Sequence, residues 1–535
     1  MRITSMNVTT RNHIAGIALL FIAARTVYLL LPAGRAGGAD EAVFGLMALK
    51  IAALKEFPVF CWKAEYAGAP VSYVAALVFK IFGPGFSQLG SVMLLFGIGT
   101  PLLFYFIYKR VSGSAWLAFS GALLIVFCPF LVVRYTMAAL GGYGETFLGT
   151  GLIILLSWKI MEKPQSSGRR FFALGTVSGF FLYILFLIIP AIVAFALPVL
   201  VAIKKDRIKN MLLFGGGVLT GSLPLTLYTI SHGGSTILRS LGRSTSLGSD
   251  DAGTPLANIV ILIIRNKSSY LKTWIAEAPS LFGQYLLPES VGPVCLQLAG
   301  VTLIALFLFF IIRTLFFVKG QPERIYSVHF AYFMIALVVF AWIAGLNRAR
   351  HLLPLLLALP VALFAITGMA RSTRARKLLY AVFVLLYGIN ITALASNRNA
   401  TGFHAAPATA AIMKNGICCF YGSYWSIYPI LFSSHDRLFG SPMLLPYNEI
   451  LTDRRPDYTD SVRVAARPAF YFTAAESGLE KEFQGFCRDN GITSRQERTP
   501  QGVLYHDLSK PVDALVKTKW NTTFEVRAPD VKKTE

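Results

Sequence analysis

Three short stretches of this sequence set ionisable residues beside long apolar runs, where a charge is costly and needs a reason. Asp40 and Glu41 follow the glycine-rich stretch 33–39 and open a helical pattern, whose N-terminus favours a carboxylate. A capping aspartate with a solvated glutamate beside it is the plain alternative. Arg134-Tyr135 and then Gly141-Gly142-Tyr143-Gly144-Glu145 bring an arginine and a second carboxylate into one connection. A glycine-rich turn with one capping acid would read the same way. Arg348, Arg350 and His351 stand just before Leu352-Leu353-Pro354 at the end of an apolar run. Arginine pairs bidentately with phosphate, so these residues could clamp a lipid phosphate; snorkelling to headgroups is the alternative. A base, a second acid and a phosphate-binding cation are the parts needed to move a group from a phosphorylated lipid to a hydroxyl. Lys63, Glu65 and Tyr66, with Glu41 and Tyr143, could line the same cavity, against the simpler reading of a solvated face.

The elements that must position these residues are membrane helices. Of 535 residues 55% are hydrophobic and 14% charged, and a mean hydropathy of +0.58 is more than a soluble fold can hide. Apolar runs near the ~20 residues a bilayer requires predict about eleven transmembrane helices, near 13–32, 88–108, 115–133, 146–160, 171–188, 190–203, 211–230, 292–312, 326–345, 352–369 and 378–395. With the N-terminus inside, the short loops on that side hold nineteen Lys and Arg and those outside hold three, Arg134, Arg348 and Arg350, the bias that orients membrane proteins. All three candidate stretches then face the outside. Residues 69–83 are too short and carry Lys80, so they read as an outer interfacial helix, as do 41–54. Long outer loops cover 33–87 and 231–291. The first run is read as a retained helix and not as a signal peptide.

After residue 397 the apolar pattern stops. Helical stretches at 405–415 and 475–490 mix with strand-like runs at 417–421, 469–473 and 502–506, so the chain divides into a membrane domain, 1–396, and a small soluble outer α/β domain, 397–535. The fold class is mainly α.

The net charge of +23 sits mainly in short loops, and no basic stripe with interleaved aromatics lies on a soluble segment, which argues against nucleic acid. Cys418, Cys419 and Cys487 share the tail, where one bridge from Cys487 could form under oxidising conditions. The histidines are scattered, no paired-Cys spacing occurs, and neither acidic outer loop contains Asp-x-Asp. No metal site and no cofactor are expected, although a divalent ion stays open. A transporter or flippase of lipid-linked substrate would call for charges at the centres of spans and an internal repeat; most runs are uncharged at their centres and no repeat is visible. A non-catalytic scaffold is a further alternative.

The order of these motifs, an Asp-Glu pair after span one, a helix ending Phe82-Gly83-Pro84, Gly142-Tyr143-Gly144-Glu145 after span three and Arg350-His351-Leu352-Leu353-Pro354 before a late span, resembles the C-type glycosyltransferase superfamily over about residues 13–370. Its family 39-like branch, related to protein O-mannosyltransferases and aminoarabinose lipid A transferases, is the nearest in pattern. The resemblance implies an inverting transferase in the inner membrane of a bacterium, with its tail outside the cytoplasm. It would take a sugar from a polyprenyl-phosphate donor and pass it to a glycan, lipid or protein acceptor. By position Asp40 would be the general base, Glu145 would stand where relatives often have Asp, and Arg350 would hold the donor phosphate, with His351 where relatives often carry Tyr. The stretch 418–433, with Tyr424-Trp425 and Tyr428-Pro429, is similar to tails of some bacterial members. Aromatic packing is its default explanation. Single cysteines at positions 40 and 350 should both react with an impermeant maleimide applied outside intact cells; reaction from opposite faces would end the shared-site reading.

Overall fold

A computed structural model describes residues 8–32, 37–163, 168–203, 206–232, 279, 292–317, 324–343, 349–368, 373–396, 403–443, 453–518 and 521–527. Arg348, nearly all of the loop 231–291 and the basic residue Arg371 lie outside them. Among the described residues four helices are long and apolar enough to cross a bilayer: Val8–Leu30, Phe86–Ser112, Tyr143–Glu162 and Pro293–Leu315. Two bent pairs raise the number to six, and Phe186–Ala202, Ile325–Ala341, Tyr380–Ala393 and Pro70–Phe82 are shorter apolar helices. The chain is a membrane protein, and among the described residues some of its apolar runs are bent or broken.

The bends have identifiable causes. The expected span 115–133 breaks between Ala115–Val126 and Phe130–Met137 with a 70° turn, because Pro129 cannot continue the hydrogen-bond ladder. Pro224 accompanies the 72° turn between Arg207–Gly221 and Leu223–Ser231. The carbonyls freed at the first break are capped by Arg25 of the first helix, whose guanidinium donates to Val126 O at 3.0 Å, Ile125 O at 3.1 Å and Cys128 Sγ at 3.1 Å. A buried cation inside a span, which the hydropathy pattern passes over, thus replaces bonds the broken helix lost.

Helices Gly168–Ile184 and Arg207–Gly221 lie in close backbone contact. A Cβ on Gly175, Gly179, Gly217 or Gly221 would meet a carbonyl oxygen of the other helix at 2.0–2.2 Å, so two small-xxx-small pairs permit the approach.

Helix Ala39–Ala52, expected at the outer interface, has ten of its fourteen residues buried. The tail covers it: one apolar core runs from this helix and Pro70–Phe82 into tail helix Tyr424–Ser433 and on to Tyr471 and Leu504. Phe432 packs against Phe79 and Phe86 at ring distances of 5.8 and 4.9 Å. A Cβ at Gly45 would stand 2.6 Å from Phe432. Ion pairs tie the rim, Lys50 to Asp436 at 2.5 Å and Arg455 to Glu56 at 2.7 Å.

The tail carries a five-stranded sheet in the spatial order 439–442, 419–422, 469–473, 502–506, 495–499. The first two pairings are parallel and the last two antiparallel. Helices Ala405–Lys414 and Ser477–Asp489 fall at the positions read from the sequence. All six cysteines are free, so Cys487 forms no bridge here.

Gly179→Val should push the two glycine-bearing helices apart, lowering stability by about 1–3 kcal/mol and the apparent Tm in detergent, while Gly215→Val, where a Cβ meets nothing within 4 Å, should leave both nearly unchanged.

Candidate functional site

Asp40 and Glu41 are the second and third residues of helix Ala39–Ala52, and successive helical positions point about 100° apart. The two carboxylates consequently separate. Glu41 is buried, and its Oε1 accepts from the Ala139 amide at 3.5 Å. Asp40 turns outward, with 41% of its side chain exposed.

Asp40 meets the tail. Its Oδ1 accepts a short hydrogen bond from the Tyr424 hydroxyl and one from Arg454 Nη2 at 3.3 Å. Arg454 is held on every side: Nη1 donates to Trp62 O at 3.0 Å, Nε and Nη2 donate to the Tyr424 oxygen at 3.3 and 3.2 Å, and its backbone amide donates to the Tyr428 hydroxyl at 2.6 Å. Burial works against the guanidinium charge, but Tyr424, Cys61, Asp40 and Tyr66 outweigh it and keep Arg454 firmly protonated. Burial and the Asp40 carboxylate together push the Tyr424 hydroxyl well above the usual tyrosine range, so it remains a donor.

Arg350 opens the 3-10 helix Ala349–Leu357, and its Nε lies 3.3 Å from His351 Nε2. Burial opposes its charge, while Tyr143, Tyr135 and Asp40 favour it and prevail. Tyr143 is within electrostatic reach of Arg350, Tyr66, Tyr135 and Asp40. Tyr66 in turn is within reach of Arg454, Asp40, Cys61 and Arg350. Residues from the first outer loop, the Gly-Tyr-Gly-Glu turn, the late arginine motif and the tail are thus electrostatically linked.

Glu145 begins helix Tyr143–Glu162, is 2% exposed, and its Oε2 has no partner among the described residues. Gly141 and Gly142 before it have φ of +68° and +140°, and a Cβ on Gly142 would stand 2.5 Å from Leu185 Cβ, so only glycine makes that turn. Arg134 is exposed on helix Phe130–Met137, in electrostatic reach of Tyr28. Glu65 faces away to accept from the Tyr228 hydroxyl at 3.3 Å. Lys63 is exposed in a left-handed turn position, near Asp453. Among the described residues no three His, Cys, Asp or Glu side chains stand together as a metal site would need. A cavity of about 20 Å³ beside Arg25, Thr100 and Gly144 holds about one water and no lipid-linked sugar.

Sequence reasoning missed Arg454, whose only signal is the Asp453-Arg454-Arg455-Pro456 cluster. It assigned Tyr424 and Tyr428 to packing alone.

No protein-family model matches the chain, and no curated protein matches it in sequence. Solved structures match in shape. ArnT from Cupriavidus metallidurans, bound to undecaprenyl phosphate, superposes with a TM-score of 0.61 at 13% identity, over 92% of this chain and 98% of that one. The archaeal oligosaccharyltransferase AglB from Archaeoglobus fulgidus, in complex with an inhibitory peptide and a dolichol-phosphate, gives 0.51 at 13% identity, over 93% of this chain and 74% of that one. A structure of the oligosaccharyltransferase of Archaeoglobus fulgidus with Zn and sulfate also gives 0.51 at 13% identity, over 92% and 72%. By shape, then, the chain shares the fold of ArnT and of this archaeal oligosaccharyltransferase. That likeness extends through the tail, beyond the 13–370 stretch in which the motifs lie.

Burial raises the Glu41 carboxyl from 4.5 to about 7, against the lowering effect of the Ala139 and Gly38 amides. The native state therefore holds a proton that the unfolded chain releases, and stability falls as pH rises through that window. Glu41→Gln, which stays neutral, should melt higher than the parent at pH 8 and lose that advantage by pH 4.

Proposed function

We propose that this protein is an inverting glycosyltransferase that takes a sugar from a polyprenyl-phosphate donor and passes it to a hydroxyl of an envelope glycan, lipid or protein acceptor. The observation that carries this reading is that Asp40 and Arg350, 310 positions apart in the chain, both lie within electrostatic reach of Tyr66 and Tyr143. The shape shared with a protein bound to undecaprenyl phosphate and with one bound to dolichol-phosphate supports it.

In this reading Asp40 takes the proton of the acceptor hydroxyl. The freed oxygen attacks the anomeric carbon from the face opposite the phosphate, the carbon–oxygen bond to phosphate breaks, and the electron pair leaves with the polyprenyl phosphate. Arg350 holds the charge on that leaving group, and configuration at the anomeric carbon inverts. The phosphate is already a fair leaving group, so the drawn step uses no metal ion. Glu145 is assigned a supporting part, as the carboxylate that closes the turn presenting Tyr143. The bacterial inner membrane, with the N-terminus cytoplasmic and the tail outside, fits the loop charges.

With the full chain in lipid nanodiscs, Arg350→Ala should weaken binding of undecaprenyl phosphate by about 10–100-fold, the worth of a charge-assisted hydrogen bond. Asp40→Asn should bind it normally yet abolish transfer of label from undecaprenyl-phosphate-linked glucose, mannose, galactose or aminoarabinose to envelope extract. Full transfer by Asp40→Asn would refute the assigned base.

A further inference from the structure

The tail contributes to this site through two side chains, Tyr424 with all its hydrogen-bonding positions filled and Arg454 with four of its five donors engaged. The Tyr424 hydroxyl gives its single proton to Asp40 Oδ1 and receives both Nε and Nη2 of Arg454, which exhausts a hydroxyl's one donor and two acceptor positions. Arg454, in turn, is 7% exposed and anchored to Trp62 O and, through its own amide, to Tyr428. Among the described residues, every hydrogen bond made to the Asp40 carboxylate falls on Oδ1, and the side chain remains 41% exposed. One oxygen is pinned, and no hydrogen bond among the described residues holds the other.

The placement of Tyr424 follows from the sheet. Strand 419–422 lies between 439–442 and 469–473, parallel to both. The chain leaves it toward one neighbour and returns to the other, so the carboxyl end of this strand is a topological switch point, where open α/β sheets place their ligands. Tyr424 is two residues past that end. Here the crevice receives a carboxylate of the membrane domain.

We infer that Arg454 and Tyr424 are positioning residues for the transfer reaction: they fix Asp40 Oδ1 so that Oδ2 faces the acceptor hydroxyl, which makes the tail a working part of the active site and not only an attached domain. This rests on Asp40 being the base. The other ties between tail and membrane domain, Lys50 with Asp436 and Arg455 with Glu56, hold the domain on without touching Asp40, and so provide a control that separates docking from positioning.

The test uses the full chain in nanodiscs, with the undecaprenyl-phosphate sugar of the same panel that gives the greatest transfer and with envelope extract as acceptor. Arg454→Gln should lower kcat by about 100-fold, within the range for a positioned base, and leave the affinity for undecaprenyl phosphate within about two-fold of the parent. Arg454→Lys should recover part of the loss, because its cation still reaches Oδ1. Tyr424→Phe removes one oxygen and keeps the packing, and should cost about 10-fold in kcat. Lys50→Gln should stay within about two-fold of the parent. If Asp40→Asn is inactive while Arg454→Gln and Tyr424→Phe keep full kcat, the positioning role is wrong and the base assignment stands. If Asp40→Asn is active, the base assignment itself fails. A loss in Arg454→Gln that appears equally in undecaprenyl phosphate affinity would make Arg454 a phosphate ligand and overturn the inference, as would a loss of equal size in Lys50→Gln, which would mark simple undocking.

Discussion

A carboxylate at the start of a helix is normally drawn into that helix's own free amides. Asp40 escapes this because Tyr424 and Arg454 hold it from outside. The rest of the arrangement depends on that contact. It requires the tail to sit on helix Ala39–Ala52, which requires the Phe432 packing and the small residue Gly45 beneath it. It also requires the helix to be buried on nearly all sides, as a lone amphipathic helix on a membrane would not be. A basic side chain buried at 7% exposure would be costly alone; here it is satisfied by a carboxylate, a hydroxyl and a carbonyl together.

Beneath the site the membrane domain solves a different problem with the same means. Proline breaks its helices, and in a bilayer the freed carbonyls have no water to turn to. Arg25 takes them up at the break after Val126. The resulting bend puts helix Phe130–Met137 and the turn at Gly141-Gly142 under helix Ala39–Ala52, where Glu41 receives the Ala139 amide. Adjacent acids thus divide their duties: one secures the turn and the other stays open to solvent.

Much of this was legible in the sequence. Apolar runs and loop charges mark a membrane chain, the tail's helices and strands fall close to their expected limits, and the spacing of motifs singles out Asp40, Tyr66, Tyr143 and Arg350, which the structure links electrostatically. These are local properties: hydropathy over twenty residues, alternation over five, an acid after a glycine-rich stretch. Such local reasoning does not say where a proline turns an apolar run: the span read at 115–133 bends by 70°.

The sequence by itself determined that the chain enters a membrane, that a mixed α/β tail follows, and that acids and arginines cluster at the ends of apolar runs. Tertiary structure alone decided that Asp40 faces outward while Glu41 is buried. It also decided that Glu65 meets Tyr228 and that Tyr424 and Arg454 reach Asp40 from 384 and 414 positions away. The physical reason is that a hydrogen bond is set by direction and distance in space. Residue spacing encodes direction only within one element, and nothing in an unfolded chain brings position 454 to position 40 until both sides of the apolar core between them have packed.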